Sequence, residues 1–316
     1  MKFKYLGTGA AEGFPAMYCG CAACEAVRRE GGKSLRTRSQ AMIDNDFLID
    51  FPSDSFVHAM QYRLRMDTVK YIFVTHSHLD HFAPEDATFR GMAFAHNIRE
   101  PHVTVYGNAA VKRVYEWAYG EMIGKIKDGY SFELLQAYKP VQAGEYTVIP
   151  LPARHDPNEN CLIFVIQKGG KTILYGNDTG MLYDEVFDYL KQQKICFDMV
   201  SLDCTEVENF VPDEGFHMNI DGDVRVIKRL AENGNVSEKT LFFANHFSHN
   251  GDPRQERLEK LLWPHGIVPP TTVWKWSFEF YRIHADFVNY KQLRKRESDA
   301  RMCPIFVSGI FSAPST

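Results

Sequence analysis

One heptapeptide constrains this chain more than anything else in it. After the apolar run Tyr71-Ile72-Phe73-Val74 comes Thr75-His76-Ser77-His78-Leu79-Asp80-His81, which packs four potential metal ligands into six residues. At an extended strand end His76 and His78 project to the same side, and a turn lets Asp80 and His81 face a neighbouring position. So many imidazoles beside a carboxylate are costly to gather without a cation or counter-charge. Imidazole with carboxylate suits Zn, Mn or Fe, and two cations about 3.5–4 Å apart can polarise a substrate oxygen and activate water. The chain must therefore fold so that several strand ends meet at one edge.

Two cations need more ligands than this segment holds. Screening for histidines and acids that end an apolar strand yields His155 after Thr147 to Leu151, Asp178 after Ile173 to Asn177, and His246 after Leu241 to Asn245. Strands are predicted at Phe3 to Leu6, Ala41 to Ile49, Lys70 to Val74, His102 to Val105, Tyr146 to Leu151, Leu162 to Gln167, Thr172 to Tyr175, Asp198 to Leu202 and Leu241 to Ala244. Between them, Leu182 to Gln193 and Asp223 to Glu232 carry apolar residues at helical spacing, with Gly234 as a stop for the second. Strands and helices interleaved in this way predict a layered α/β architecture with its chemistry in the strand-end loops.

The H-x-H-x-D-H string followed by these later His, Asp and His positions resembles the metallo-β-lactamase superfamily. The resemblance implies an αββα sandwich, two mixed sheets with helices on the outer faces. It also implies that His76, His78 and His155 hold one metal, that Asp80, His81 and His246 hold the other, and that Asp178 bridges them. Asp50, after the run Leu48-Ile49, matches the acid that supports the ligand loop. An outer carboxylate of this kind typically changes metal affinity or activity by roughly 10–100-fold.

The cysteines narrow the resemblance. Seven are present, an odd number in a long chain, which argues against a disulfide framework. Cys19-Gly20-Cys21-Ala22-Ala23-Cys24 is a C-x-C-x-x-C triplet, suited to converging on one structural Zn but one ligand short of tetrahedral. In Asn245-His246-Phe247-Ser248-His249 the second histidine is available. It resembles the partner used by the phosphoribosyl 1,2-cyclic phosphate phosphodiesterases of the carbon-phosphorus lyase pathway, a group that also begins like Leu6-Gly7-Thr8-Gly9. That resemblance implies hydrolysis of a small cyclic phosphodiester of ribose or a nucleotide by metal-activated water. In it Asp80 belongs to the catalytic centre, and His217, within Phe216-His217-Met218, assists the leaving group. Two other groups share features: tRNA 3′-processing endonucleases of the ribonuclease Z type, and a pyrroloquinoline quinone biosynthesis protein, which shares Gly13-Phe14-Pro15 before the cysteines.

Composition sets the remaining bounds. The 316 residues are 45% hydrophobic and 24% charged, as expected of a folded enzyme. A net charge of −4 supplies no global positive field, so nucleic-acid binding is not expected and an anionic substrate must be met locally. No uninterrupted apolar run approaches the roughly 18 residues of a membrane span, and the chain reads as cytoplasmic. The predicted organisation is one hydrolase domain over 1–280, with an inserted aromatic-rich helical region at about 84–128, and a C-terminal extension over 281–316. A homodimer is compatible with the sequence. Arg36 and Arg38 are expected to be exposed loop residues.

Overall fold

The computed structural model describes residues 1–90, 94–120, 129–271 and 275–277. The extension over 281–316, with its basic run Lys291 to Arg296, lies outside the described residues. Met1–Trp276 forms one compact unit.

Two seven-stranded mixed sheets make its centre. The first is built from β1 (Lys2–Gly7), β2 (Gln40–Ile43), β3 (Phe47–Ile49), β4 (Tyr71–Phe73), β5 (Val103–Gly107) and β6 (Tyr130–Leu134), side by side in that order. The second holds β7 (Val141–Ala143), β8 (Tyr146–Pro152), β9 (Leu162–Lys168), β10 (Lys171–Gly176), β11 (Met199–Asp203), β12 (Leu241–Asn245) and β13 (Ile267–Val268), again in chain order. Lys275–Ser277 (β14) borders β1. The helices are α1 (Ala22–Glu30), α2 (Ser55–Tyr62), α3 (Ala109–Gly120), α4 (Asp184–Gln192), α5 (Ile220–Glu232) and α6 (Gln255–Leu262). This is the αββα sandwich expected.

The sheets meet through aromatic rings. Phe3 lies against Tyr175, Tyr5 against Phe243, Phe47 against Tyr146 and Phe73 against Phe164, with centroids 4.8–6.3 Å apart. All eight rings are buried. Rings of this size bury large apolar area and add favourable edge and offset contacts, so this seam holds the layers in register. On the outer faces, Val186, Phe187 and Leu190 of α4 and Val226 and Leu230 of α5 pack with Leu174, Val200 and Leu202 of the second sheet. Val111, Tyr115 and Tyr119 of α3 pack with Val103, Val105 and Ile72 of the first.

Three expectations change. Ala41 to Ile49 is two antiparallel strands, not one, because Asp44-Asn45-Asp46 turns the chain with Asp44 at φ 55°. Within 84–128, β5 pairs with β4 and β6 and α3 covers them, so this stretch supplies a strand to the sheet as well as a helix. Arg36 is 2% exposed rather than a surface residue. Its guanidinium donates to Thr8 Oγ1, the Gln255 side chain and the carbonyls of Pro253 and Pro270, and it lies over the Phe247 ring. No described helix is long and apolar enough to cross a membrane.

A buried histidine beneath the ligand loop gives a pH test of the fold. His58 of α2 donates from Nδ1 to Gln40 Oε1 and accepts at Nε2 from Thr37 Oγ1, so it is neutral. Burial pushes it down to about 4, against the pull of Asp54. A folded-state value below the unfolded one near 6.5 means the contribution is complete above pH 6.5 and is lost as pH falls toward 4, about 3 kcal/mol in all. Urea midpoints between pH 7 and pH 4.5 should therefore drop less steeply for His58→Gln than for the parent. Parallel curves would remove His58 from the acid response.

Candidate metal centre

Strand direction delivers the site. β3 and β4 run parallel, as do β10, β11 and β12, while β9 opposes both β8 and β10, so β8 points the same way as β10. Residues just past these strands gather at one edge, the usual place for chemistry in such sheets. Asp50 follows β3, the His76 to His81 segment follows β4, and His155, Asp178 and His246 follow β8, β10 and β12. Asp50, Asp178 and His246 have φ of 65°, 54° and 62°. Non-glycine residues seldom adopt this left-handed region, and they do so most often where function over-determines the backbone.

Two groups of donors form, each with its ligand atoms within 4.8 Å of one another. In the first, His155 Nε2 lies 3.1 Å from His78 Nδ1, and His76 Nε2 lies 3.2 Å from Asp178 Oδ2. In the second, His81 Nε2 lies 3.2 Å from Asp80 Oδ2 and 3.3 Å from His246 Nε2. Asp178 Oδ2 belongs to both, 3.0 Å from His81 Nε2 and 3.4 Å from His155 Nε2. All seven expected residues are thus together. His76, Asp80, His81, Asp178 and His246 are buried, and His78 and His155 are half-buried.

Every imidazole is held by its other nitrogen. His76 Nδ1 donates to Thr75 Oγ1, His78 Nε2 to Asp156, His81 Nδ1 to Asp50 Oδ2, His155 Nδ1 to the Phe216 carbonyl and His246 Nδ1 to Thr205 Oγ1. These bonds fix the tautomers so that the free lone pairs converge. His76 Nε2 and Asp178 Oδ1 are buried without hydrogen-bond partners. Orphaned buried donors and acceptors are costly, so the residues present fit a pair of divalent cations. Burial pushes His76 down and His155 down to about 4, which keeps both in the neutral, ligating form. Burial alone would raise Asp178, but His246, His217, His76 and His81 hold its carboxyl well below the usual carboxylate range. Asp50 also accepts at Oδ1 from the Thr75 amide and hydroxyl. Replacing Asp50 with Ala is expected to lower activity or metal affinity roughly 10–100-fold, the usual cost of an outer carboxylate. Unchanged metal retention and turnover would show that the histidine holds itself.

Sequence reading missed Asp203, Thr205 and Asp156. Asp203 is fully buried, accepts from the Thr205 hydroxyl and the amides of Thr205 and Met218, and faces His246 Nδ1 at 3.4 Å. As an acid ending the apolar strand β11, it satisfies the same strand-end screen that found Asp178. His217 lies where its Nδ1 faces Asp178 Oδ1 at 3.1 Å and Asp203 Oδ2 at 3.5 Å. Burial opposes its charge, but the two carboxylates push it up to about 11.

The cysteines also converge. Cys19, Cys21 and Cys24 place their sulfurs within 4.8 Å of one another at the start of α1. The Cys24 amide pulls the Cys21 thiol down to about 7, easing thiolate formation. His249 lines the same cavity of about 550 Å³. Its Nδ1 donates to Glu12 Oε1, which also accepts from the Ser248 hydroxyl, and His249 stands outside the 4.8 Å cluster that the three sulfurs form. Between the two clusters, the Phe247 amide donates to the Thr8 carbonyl and the Ala10 amide to the Phe247 carbonyl.

Residues 45–241 match the family described as the beta-lactamase superfamily domain, more than half of the chain. No curated protein matches the sequence. Among solved structures, a diphosphatase from the PhnP family is 22% identical with a TM-score of 0.67, covering 88% of this chain and 98% of that one. Zn²⁺-bound PqqB from Methylobacterium extorquens is 13% identical with a TM-score of 0.67, covering 88% and 100%. The short form of human tRNase Z is 15% identical with a TM-score of 0.60, covering 89% and 100%. At these identities the likeness is one of fold.

Proposed function

Because this chain belongs to the beta-lactamase superfamily, whose fold carries divalent metals in hydrolases, we propose that it is a phosphodiesterase using two cations to hydrolyse a small cyclic phosphodiester of ribose or a nucleotide. The observation that carries this reading is Asp178, shared by both donor groups and facing His217. His76, His78 and His155 would hold one cation, Asp80, His81 and His246 the other, with Asp178 common to both. When bound, such a pair supplies Lewis-acid activation of water and of the phosphoryl oxygens. Manganese, zinc and iron all suit these donors.

The chain's own residues do the rest. Thr75, Asp50, Asp156, Thr205 and the Phe216 carbonyl orient the imidazoles. His217 lines the cleft beside His78 and His155. With its Nδ1–H turned toward Asp178 and Asp203, its Nε2–H is available to protonate the departing alkoxide. Proton transfer of this kind contributes roughly 10²–10⁴-fold. Cys19, Cys21, Cys24 and His249 would hold one structural Zn. Free thiols at Cys19, Cys21 and Cys24 suit a reducing compartment such as the cytoplasm. The net charge of −4 favours a small substrate over tRNA.

Hydrolysis of bis-p-nitrophenyl phosphate by the purified chain, reconstituted in turn with Mn²⁺, Zn²⁺ and Fe²⁺, tests the activity. Chelation should abolish turnover and metal return should restore it, whereas no turnover with any of the three would overturn the reading. Elemental analysis should find one zinc per chain fewer in Cys21→Ser, together with a lower melting temperature.

A further inference from the structure

The loop between β8 and β9 does more than carry His155. Its ends are drawn together by the Ala153 amide, which donates to the Cys161 carbonyl, and it is fastened to the first sheet where the Leu162 amide donates to the Thr75 carbonyl. From within it, half-buried Glu159 reaches the ligand segment. Glu159 Oε1 accepts from the Ser77 hydroxyl at 2.8 Å, both carboxylate oxygens lie 3.1–3.2 Å from the Ser77 amide, and Oε2 accepts from Asn108 Nδ2 at 2.9 Å. Ser77 is the residue between His76 and His78. A carboxylate from one sheet thus grips the backbone from which two imidazoles of the other hang.

Asn108 is itself held at both ends. Its Oδ1 accepts from the Ala110 and Val111 amides at the start of α3, and its Nδ2 is shared with the Asn160 carbonyl. The amide therefore cannot turn over without uncapping α3, and its Nδ2 needs an acceptor where Glu159 Oε2 stands. Hydrogen bonds to a carboxylate are roughly twice as strong as those between neutral groups, so these contacts fix the segment firmly.

The loop acts on a single donor group. His155 gives it Nε2, Asp156 faces His78 Nε2 at 3.2 Å, and Glu159 holds the residue between His76 and His78. In the other group His81 is held by Asp50 and His246 by Thr205. Packing also serves the two groups differently. The His78 side chain is 41% exposed, whereas that of His81 is fully buried and that of His246 is 3% exposed. A half-open imidazole depends on its contacts for its place.

We propose that Glu159 is a positioning residue for one cation of the pair, setting through Ser77 the affinity of the His76, His78 and His155 group while the Asp80, His81 and His246 group keeps its own. This rests on the two-cation reading above. Glutamine at this position keeps the shape but sets an N–H against either the Ser77 amide or Asn108 Nδ2, so one grip is released. Loss of an outer partner typically costs roughly 10–100-fold in metal affinity.

The test titrates the full chain, cleared of metal by dialysis against a chelator, with Mn²⁺, which suits carboxylate and imidazole better than thiolate. Free Mn²⁺ is counted by electron paramagnetic resonance. The parent should take up two ions. Glu159→Gln should weaken one of them roughly 10-fold or more and move the other much less. Ser77→Ala should act in the same direction to a smaller degree, because the amide contact remains, and it carries the test if Glu159→Gln does not fold. Combined variants assign the ion: Glu159→Gln should add little to His155→Ala and its full effect to His246→Ala. A merely structural role would instead lower the melting temperature of the metal-free chain and weaken both ions alike. Both ions weakened equally, or isotherms unchanged in both variants, would overturn the proposal and leave the metal pair standing, whereas a parent that takes up fewer than two ions overturns both. Failure to hydrolyse bis-p-nitrophenyl phosphate would remove the phosphodiesterase reading without touching this titration.

Discussion

Asp178→Asn should leave a folded protein that neither holds its cations nor hydrolyses a phosphodiester. Its carboxylate lies within 3.6 Å of nitrogens on His76, His81, His155 and His246, drawn from three different loops. An amide of the same shape keeps the volume but removes the negative charge and puts an N–H where a lone pair is needed. Loss of an outer-sphere partner alone typically costs roughly 10–100-fold, so a donor common to both groups should cost at least about 100-fold in kcat/KM. The readouts are turnover and metal content after dialysis against a weak chelator. Retention of two cations per chain with only a small change in rate would show that Asp178 is not shared between them.

His217→Ala should separate chemistry from metal binding. The side chain belongs to the cleft and faces Asp178 and Asp203, but it is not one of the seven proposed ligands. The variant should therefore keep its metal while kcat falls roughly 10²–10⁴-fold for a substrate with a poor alkoxide leaving group. With p-nitrophenolate, which departs without a proton, the loss should be much smaller. Equal losses on both substrates would assign His217 to positioning rather than to proton delivery. Asp203→Asn should follow the same pattern more weakly, since Asp203 acts on the substrate only through His217 and through Thr205 at His246.

The candidate centre was legible in sequence because His76, His155, Asp178 and His246 each sit within three residues of an apolar strand end, with His78, Asp80 and His81 in the same segment as His76, and parallel strands turn that one-dimensional regularity into a shared edge. Asp203, which ends β11, obeys the same regularity, but seven other donors already complete two ligand sets and sequence gives it no separate mark. Asp156 and Thr205 carry no such signal, since their roles depend on which imidazole nitrogen they meet. The β2–β3 hairpin was read through because Asp44-Asn45-Asp46 is a short polar break between apolar flanks. Arg36 could not be read as buried, because the carbonyls that receive it belong to Pro253 and Pro270, far along the chain. Glu159 was equally invisible, because its partners Ser77 and Asn108 follow strands of the other sheet.

The threading of Phe247 between Thr8 and Ala10 has a consequence for biosynthesis. Residues near the start of the compact unit are locked in place by some of its last, and His246 and His249 arrive together with that lock. At about 5–20 residues per second, the nascent chain spends many seconds displaying the His76 to His81 segment before its final ligands exist. Prematurely terminated chains would carry half a metal site with nothing to close it. If the proposed cations bind, they can be fully held only once residues up to His249 have been made, and protein made without metal should be activated by later metal addition without new synthesis.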